Sequence, residues 1–572
     1  MPKWRETHPW LLPLVVIAVV SIVPWLGLID FNTKGEPREA IVAWTMLDSG
    51  NWILPQNIGG EFAYKPPMLH WLVAAFSSVL GGVSPFTSRL PSALAAIVTA
   101  LATYLFFAKR RDEQTGFVSA LVFLTTFEVH RAAEACRVDM VLTMFIVLAL
   151  YGLYRWAEQG LRGVPLWAIV WMGCGTLTKG PVAIVLPCLV VGVLLLLKGR
   201  GLWAVGWRFV LVALGALVLP ALWYFAAYQQ GGDRFAYLVY EENVLRFIGK
   251  MPYRSHENGP FYYVVMLIAG LVPYTILLVC ALFGLGRAKL KEKFQNLKGN
   301  SNFSERLSKI SAFDLFVFLA VALILLFYTI PKSKRGVYIL PVYPFVAYYI
   351  ARLMFWLRSH FAAALRVFFW VLCAAVVLAF VALLALQSGS LPAALLERIP
   401  EEARPFIAAY ATGNSFATDV VFFAIVLVAI YLYYRLARLG RPIGDVLYTV
   451  VVGLMMLDAL ILPPLLNQKS DRPAAALLEP IAREGALYQY VEEPMMHFFT
   501  LNFYLENRAK VFNEEATAGA LLIGEADVDA FRSSFPAVQL RLLQDLRHRS
   551  CDTRQNMLLF AFERAEKNAS PQ

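Results

Sequence analysis

Long apolar runs recur from residue 10 to residue 463, and they limit the fold more strongly than any other feature of the chain. A helix needs about 20 mainly apolar residues to cross the hydrocarbon core of a bilayer. Thirteen runs reach or approach that length, near residues 10–29, 88–108, 115–131, 139–157, 165–178, 181–198, 206–228, 260–283, 312–330, 337–356, 365–386, 417–437 and 446–463. The pattern predicts a polytopic α-helical membrane protein with about 13 transmembrane helices.

Composition agrees with lipid as the main solvent of this chain. Of its 572 residues, 59% are hydrophobic and only 16% are charged, whereas soluble proteins carry about 25% charged residues. The net charge of +11 would suggest nucleic acid as the partner of a soluble protein, but membrane proteins collect Lys and Arg in their cytoplasmic loops. We therefore expect no nucleic-acid partner. The six cysteines show no metal-like spacing, and no disulfide framework is predicted.

Basic clusters between the runs predict the orientation. They precede the first run and follow the second, eighth and twelfth runs, at residues 109–111, 287–298 and 435–441. With a cytoplasmic N-terminus, all of them fall on the cytoplasmic side, as the positive-inside rule requires. The apolar segment 66–80 is only about 15 residues long and would invert this order if it crossed, so it is interpreted as an interfacial or re-entrant helix.

Most of the remaining polar sequence then lies on the outer side. The first outer loop covers about residues 30–87, and two others cover about 229–259 and 387–416. From residue 464 onward the composition becomes that of a soluble domain, in which strand-like runs at 486–491, 520–523 and 557–562 alternate with helical stretches such as 527–535. We expect a transmembrane domain over 1–463 and a small α/β domain outside the membrane over 464–572.

Ionisable residues at the predicted outer edge are the candidate functional groups, because a charge near lipid is costly and usually has a functional reason. Glu36 falls in the first turn of a predicted helix, and Lys65 precedes two prolines and an apolar segment. Arg137 and Asp139 open the fourth span. Each also has a structural interpretation, namely helix capping for Glu36, snorkelling for Lys65, and a salt bridge for the pair.

Several cations stand on the side where the positive-inside rule disfavours them. Lys179 lies in a short hairpin next to Gly180, Lys334 and Arg335 follow the ninth span, and Arg246 lies in the second outer loop. A phosphate at the membrane surface would hold such groups through charge-assisted hydrogen bonds. A sugar linked to a lipid phosphate is already activated, so these cations could stabilise its leaving group while a carboxylate accepts a proton from the acceptor hydroxyl. Such a single displacement inverts the anomeric centre.

Short motifs in a fixed order carry a resemblance to a known family. They begin at Gly35 (GEPR), Ser49 (SGNW), Tyr64 (YKPP), Arg137 (RVDM), Thr178 (TKGP) and Tyr338 (YILP). Over about residues 10–350 the chain resembles the bacterial membrane glycosyltransferases of the C-type fold, above all the lipid A aminoarabinose transferases and their relatives, which also resemble protein O-mannosyltransferases.

The resemblance implies a polyprenyl-phosphate sugar donor, a site beneath the first outer loop, and a periplasmic C-terminal domain on a multi-pass bacterial inner-membrane protein. It implies that Lys65, Arg246 and Tyr338 bind the donor phosphate with Lys179 nearby. Arg38, Glu39 and Arg137 would support the site.

The chain departs from the family in two places. The usual Asp-Glu pair is Gly35-Glu36 here, so either Glu36, Asp139 or Glu39 takes the role of base, or the catalytic scheme differs. Glu36 and Asp139 are the catalytic candidates, and Glu36 is expected to be the more essential acid of this loop. The usual Glu before Lys-Pro-Pro is Tyr64, so no metal site is predicted by analogy, although a divalent metal stays open. No other cofactor is expected.

These observations predict an inverting glycosyltransferase, expected to act as a monomer on a lipid A-like or glycan acceptor. A protein O-glycosyltransferase with the same donor class is the alternative among enzymes. A flippase or transporter of lipid-linked sugars is the alternative from another class. Transporters carry repeated halves, and no such repeat is evident in this sequence.

Overall fold

The computed structural model describes residues 8–63, 65–245, 257–282, 310–388, 404–412 and 416–564. Up to residue 245 its helices are α1 (Leu11–Ile22), α2 (Gly35–Ser49), α3 (Met68–Val79), α4 (Pro85–Arg110), α5 (Glu113–Thr125), α6 (Phe127–Ala133), α7 (Val138–Glu158), α8 (Leu166–Lys179), α9 (Val182–Leu197) and α10 (Leu202–Tyr240). From residue 257 to residue 467 they are α11 (Tyr262–Gly270), α12 (Tyr274–Leu282), α13 (Ala312–Thr329), α14 (Tyr343–His360), α15 (Ala362–Gln387), α16 (Arg404–Thr412), α17 (Phe416–Leu436), α18 (Ile443–Met456) and α19 (Leu462–Asn467). The chain therefore folds as a helical bundle over most of its length.

Local sequence signals set the ends of the helices near the candidate site. Ser84 and Thr87 form a capping box at the start of α4, which satisfies two amide groups that the first turn leaves unpaired. Gly50 follows α2 with φ of 68°, a left-handed conformation that glycine adopts without strain. Gly180 separates α8 from α9 with φ of 114°. The predicted turn next to Gly180 and the predicted helix with Glu36 in its first turn are both present.

Within the described residues, seven helical segments are long and apolar enough to cross a membrane, and an eighth is a bent pair. The seven are Pro85–Arg110, Val138–Glu158, Leu202–Leu245, Ala312–Thr329, Gly336–His360, Ala362–Gln387 and Ile443–Asn467. Shorter apolar helices lie beside them, including α3, which has 12 residues. The prediction that segment 66–80 does not span stays a prediction, since α1, which is predicted to span, also has 12 residues. The chain is a polytopic membrane protein, and the count of about 13 spans stays a prediction.

Two runs that predict one continuous span each are broken in the structure. In the run 115–131, Thr126 is extended (ψ 137°) and separates α5 from α6. In the run 260–283, α11 and α12 meet at an angle of 98°. Pro273 lies between them, and its missing backbone N–H prevents the hydrogen bond of a continuous helix. The apolar pattern finds both segments but not their breaks.

Contacts between loops place several helix ends on the same side of the bundle. Arg110 at the end of α4 pairs with Glu158 at the end of α7, 2.5 Å apart. Arg111 pairs with Asp314 at the start of α13, and Lys198 Nζ donates to the carbonyl of Ile310 at 2.7 Å. All of these residues lie in or beside loops that the basic clusters place in the cytoplasm.

This arrangement predicts the result of a topology experiment. Alkaline phosphatase fused after about residue 470 should be active, and the same enzyme fused after Arg111 should be inactive, because the phosphatase folds only outside the cytoplasm. Activity is measured in intact cells and normalised to the amount of each fusion. The reverse pattern would contradict the orientation and the position of the candidate site.

The C-terminal part contains a five-stranded sheet with strand order β2-β1-β3-β5-β4. Its strands are β1 (Leu487–Tyr490), β2 (Lys510–Val511), β3 (Ala518–Gly524), β4 (Val538–Arg549) and β5 (Asn556–Arg564). Its helices are α20 (Arg472–Arg483), α21 (Phe499–Tyr504) and α22 (Val528–Ser534). β1 pairs in parallel with β2 and β3, while the other pairs are antiparallel. The three predicted strands and the predicted helix at 527–535 are thus present.

The first outer loop packs against this C-terminal part. Phe31 and Ile41 share an apolar cluster with Phe499 and Phe503. The amide of Phe31 donates to the hydroxyl of Tyr504 at 2.9 Å. These contacts hold α2, which carries several of the candidate site residues, between the helical bundle and the sheet.

Candidate functional site

Most of the residues singled out from the sequence lie around the start of α7. Glu36 and Glu39 come from α2, Asp139 from α7 and Lys179 from the end of α8. Lys65 precedes α3, and Tyr338 lies in a 3-10 turn before α14. Arg246 and Tyr64 lie outside the described residues. Distant segments of the sequence thus converge, and the charged groups form three groups of contacts.

The Glu36 carboxylate is bound by a buried arginine. Arg89 of α4 donates Nε to Oε2 at 2.8 Å and Nη2 to Oε1 at 3.0 Å. The amide of Cys136 donates to Oε2 at 2.9 Å. The side chains of Glu36 and Arg89 are 13% and 4% exposed. Burial raises the pKa of the Glu36 carboxyl, but Arg89 and the Cys136 amide outweigh it and hold that pKa below its usual range.

Arg89 holds the first outer loop in place. Its Nη1 donates to the carbonyls of Leu26 and Ile29, at 2.8 and 2.5 Å, so one guanidinium joins three segments of the chain. Both oxygens of Glu36 accept from donors of fixed geometry, and this arrangement favours an anchoring role over that of a base. The sequence contained a signal for Arg89, since it is the only charged residue within the apolar run 88–108.

Glu39 forms the second group of contacts. Its Oε1 lies 2.5 Å from Lys65 Nζ, and its Oε2 lies 2.9 Å from His70 Nε2. Burial raises the pKa of the Glu39 carboxyl, but Lys65, His70 and Arg38 together hold it well below its usual range. Burial lowers the pKa of Lys65, and Glu39 offsets part of that effect. His70 is 1% exposed and was not singled out from the sequence.

Asp139 and Lys179 form the third group of contacts, where α7 begins and α8 ends. Lys179 Nζ lies 2.5 Å from Asp139 Oδ1 and 4.1 Å from the centroid of the Tyr338 ring. An ammonium over an aromatic face is attracted by the ring quadrupole. Among the described residues, Lys179 is the one ion-pair partner of Asp139. This carboxylate therefore has fewer donors than Glu36.

Two cavities meet at this ion pair. Cavity A has a volume of about 550 Å³, and its wall includes Glu36, Asp139 and Arg335. Cavity B has a volume of about 460 Å³, and its wall includes Lys179 and Tyr338. Asp139 and Lys179 touch each other but line different cavities, so a ligand in each cavity could reach the same ion pair.

The segment after α13 borders both cavities. Pro331 and Ser333 line cavity B, whereas Lys334 and Arg335 line cavity A. Lys334 is 4% exposed, and its Nζ donates to the carbonyl of Asn258 at 3.0 Å. Its ammonium therefore joins two outer segments of the chain. In the described part of the chain, Arg335 has no ion-pair partner.

Gly35 lies in close contact with the guanidinium of Arg137. A Cβ atom added to Gly35 would lie 1.6 Å from Nη2 of Arg137, far closer than two such atoms can approach. Arg137 lines cavity A and also a third cavity, cavity C, of about 760 Å³. Cavity C lies between the first outer loop and the C-terminal sheet, and its wall includes Lys34 and Asp552. The guanidinium thus lies where a side chain at position 35 would begin.

Comparison with known proteins shows similarity in sequence. Residues 64–224 match a family described as dolichyl-phosphate-mannose-protein mannosyltransferase. The chain is 27% identical over 351 residues to an undecaprenyl phosphate-alpha-4-amino-4-deoxy-L-arabinose arabinosyl transferase of Shewanella sediminis, and 28% identical over 348 residues to one of Pseudomonas fluorescens. The matches cover 60% and 59% of this chain but only 58% of each relative, so the chain spans less than two thirds of the relatives it matches.

The fold gives a second comparison. The structure is similar to the crystal structure of ArnT from Cupriavidus metallidurans bound to undecaprenyl phosphate, with a TM-score of 0.65, 20% identity, and coverage of 99% of this chain and 100% of that one. At this level of identity the likeness concerns the fold alone. Sequence and fold together confirm the resemblance that the motifs indicate: the chain is similar in sequence to these transferases and has the fold of the ArnT structure.

Proposed function

We propose that this protein is an inverting glycosyltransferase that moves a sugar from a polyprenyl-phosphate donor to a lipid A-like or glycan acceptor at the periplasmic face of the bacterial inner membrane. The named relatives transfer aminoarabinose from undecaprenyl phosphate, which supports the donor class. The observation that carries the proposal is the contact of Asp139 with Lys179 at the boundary between cavities A and B.

The donor occupies cavity B in this proposal. Apolar side chains such as Val182, Val185 and Phe327 line it and suit the first units of a prenyl chain. Lys179 lies at its polar end, over the ring of Tyr338. The ammonium stabilises the negative charge that develops on the phosphate oxygen as the bond to the anomeric carbon breaks.

The acceptor occupies cavity A, on the opposite side of the ion pair. Its hydroxyl attacks the anomeric carbon from the face away from the phosphate, and Asp139 accepts the hydroxyl proton. The glycosidic bond forms as the phosphate leaves, so the anomeric centre is inverted. Glu39 and Lys65 form a second ion pair beside Asp139. The positive charge of Lys65 also attracts the Asp139 carboxylate.

Asp139 suits the role of base better than Glu36 does. A base needs an oxygen that the acceptor hydroxyl can approach within hydrogen-bonding distance. Arg89 and the Cys136 amide already take both oxygens of Glu36. Asp139 pairs with Lys179 through Oδ1, and it lines the cavity assigned to the acceptor. Glu36 stays a candidate that the substitutions described in the Discussion test.

Lipid analysis tests the proposed reaction. Lipid A and periplasmic glycoproteins are compared by mass spectrometry in cells with and without the gene. We expect one sugar mass to disappear from a lipid or glycan when the gene is deleted. Loss from a protein instead would favour the protein O-glycosyltransferase. If the purified protein released no free polyprenyl phosphate from the donor, the alternative of a flippase would replace the proposal.

Replacing Lys179 with Met should lower transfer by about 10–100-fold, because the departing phosphate loses a charge-assisted contact worth about 1.5–3 kcal/mol. Lys65→Met and Arg246→Ala should each lower transfer as well. Transfer is measured as release of polyprenyl phosphate at saturating acceptor. Lys332→Met is the matched control, since Lys332 lies in the same outer segment but lines neither cavity A nor cavity B. Full activity of Lys179→Met would contradict its role.

A further inference from the structure

A histidine and two carboxylates gather on the wall of cavity A, away from Asp139 and Lys179. His130 belongs to α6, Glu134 follows that helix, and Asp458 lies in a π-helical turn between α18 and α19. All three side chains line the cavity. Neither the proposed base nor the proposed phosphate contacts use them. Within the described residues, they form one of two groups in which three potential metal ligands lie close together.

The distances suit a single ion. His130 Nε2 lies 2.6 Å from Asp458 Oδ2 and 3.7 Å from Glu134 Oε1, and the three ligand atoms lie within 4.8 Å of one another. Tetrahedral zinc with bonds of about 2.0–2.2 Å keeps its ligand atoms about 3.3–3.6 Å apart. Small side-chain rotations would therefore bring all three atoms to bonding distance.

The histidine is already oriented as a metal ligand would be. Its Nε2 lies 2.6 Å from Asp458 Oδ2 and 3.7 Å from Glu134 Oε1, so this ring nitrogen is directed at both carboxylates. A metal-binding histidine contacts its ion through one such ring nitrogen.

One buried oxygen of this group has no hydrogen-bond donor among the described residues. Asp458 and His130 are 2% and 6% exposed at their side chains, and Glu134 is 16% exposed. Oε1 of Glu134 is fully enclosed and has no hydrogen-bond partner among the described residues. The nearby Arg89 is committed to Glu36. Two carboxylates thus share one imidazole, and a buried carboxylate oxygen without a donor is costly.

In the second group of three potential ligands, the carboxylates have hydrogen-bond donors from the protein. Asp471, Cys551 and Asp552 lie in the C-terminal part, where Asp471 accepts from Ser550 and the Cys551 amide, and Asp552 accepts from Thr500. Protein donors satisfy those carboxylates, so that group carries no inference.

We propose that His130, Glu134 and Asp458 bind one divalent transition-metal ion, with zinc as the best match to one nitrogen and two oxygen ligands. The remaining coordination position faces cavity A, which gives the ion its entry path. This inference goes beyond the proposed function, since no step of the transfer passes through the ion. Binding can be measured without substrate, so the two proposals fail independently.

The test is metal binding by the purified full-length protein in detergent, carrying a tag without histidines. Metal content is measured by mass spectrometry after dialysis against zinc, and Co²⁺ titration follows the visible absorption of the protein-bound ion. We expect about one equivalent per chain, with His130→Gln and Asp458→Asn each raising the dissociation constant at least about 100-fold, more than outer-shell changes do. Glu134→Gln, at a partly exposed position, should weaken binding as well.

His8→Gln is the matched control. His8 also lies beside a carboxylate, with Nδ1 3.0 Å from Glu113 Oε1, but it is on another part of the molecule and should leave metal binding unchanged. Thermal unfolding verifies that each variant is folded. Absence of a saturable Co²⁺ spectrum in the unmodified protein would overturn the proposal without any variant. Equal binding by His130→Gln and the unmodified protein would overturn it too, and the group would then be a proton-sharing ion pair.

Discussion

Replacing Asp139 with Asn should lower the turnover of sugar transfer by about 10²–10⁴-fold, the range that general base catalysis contributes. Asparagine keeps the shape of the side chain and its reach towards Lys179, but it cannot accept the proton of the acceptor hydroxyl. Donor binding should stay close to that of the unmodified protein, because cavity B and Lys179 are unchanged. Turnover is measured as release of polyprenyl phosphate, and donor binding as the increase in unfolding temperature.

The control for this variant is Glu128→Gln. Glu128 also lines cavity A, where its Oε1 lies 2.7 Å from Arg131, so the substitution removes a carboxylate from the same wall without touching the proposed base. We expect it to retain most of the activity. If Asp139→Asn transferred sugar at the normal rate, the base would have to be sought in Glu39 or Glu36.

Replacing Glu36 with Gln should destabilise the protein by about 3–5 kcal/mol, because it leaves the charge of Arg89 buried and without its partner. The guanidinium is enclosed by the chain and also holds the carbonyls of Leu26 and Ile29. The measurement is the unfolding temperature in detergent, which should fall by several degrees. Any loss of transfer should follow the loss of folded protein.

A catalytic role for Glu36 predicts a different result. In that case Glu36→Gln would unfold at the normal temperature and bind the donor, yet turn over at least about 10²-fold more slowly. Glu158→Gln is the matched control for the loss of an ion pair. Glu158 also pairs with an arginine, Arg110, but it is 41% exposed, and exposed pairs contribute about 0–1 kcal/mol.

The sequence predicts the general architecture well, because apolar runs and basic loops reflect physical requirements that act locally. A run such as 139–157 is too apolar to be exposed to water, whatever the conformation of its neighbours. In the structure this run forms α7. The short strand-like run 557–562 likewise becomes part of a regular element, β5. Breaks such as that at Thr126 are harder to predict, since no proline or glycine marks them and the surrounding packing determines them.

The partners within the site could not be predicted in the same way. Glu36, Glu39, Lys65, Asp139 and Lys179 were all candidates, but their pairing depends on how α2, α4 and α8 meet in space. Arg89 determines which acid is anchored, and it lies inside an apolar run where its charge counts against a span. His70 and His130 likewise follow ordinary helical patterns. Only their contacts across the bundle distinguish them from core residues.

The close approach of Gly35 and Arg137 makes these two positions interdependent. Any side chain at position 35 would have to displace the guanidinium, and an acidic one would also neutralise it. A substitution at position 35 should therefore act through Arg137, and a double-mutant cycle of the two positions should give a non-additive effect on stability. The polarity of the wall that cavities A and C share thus depends on a residue that has no side chain.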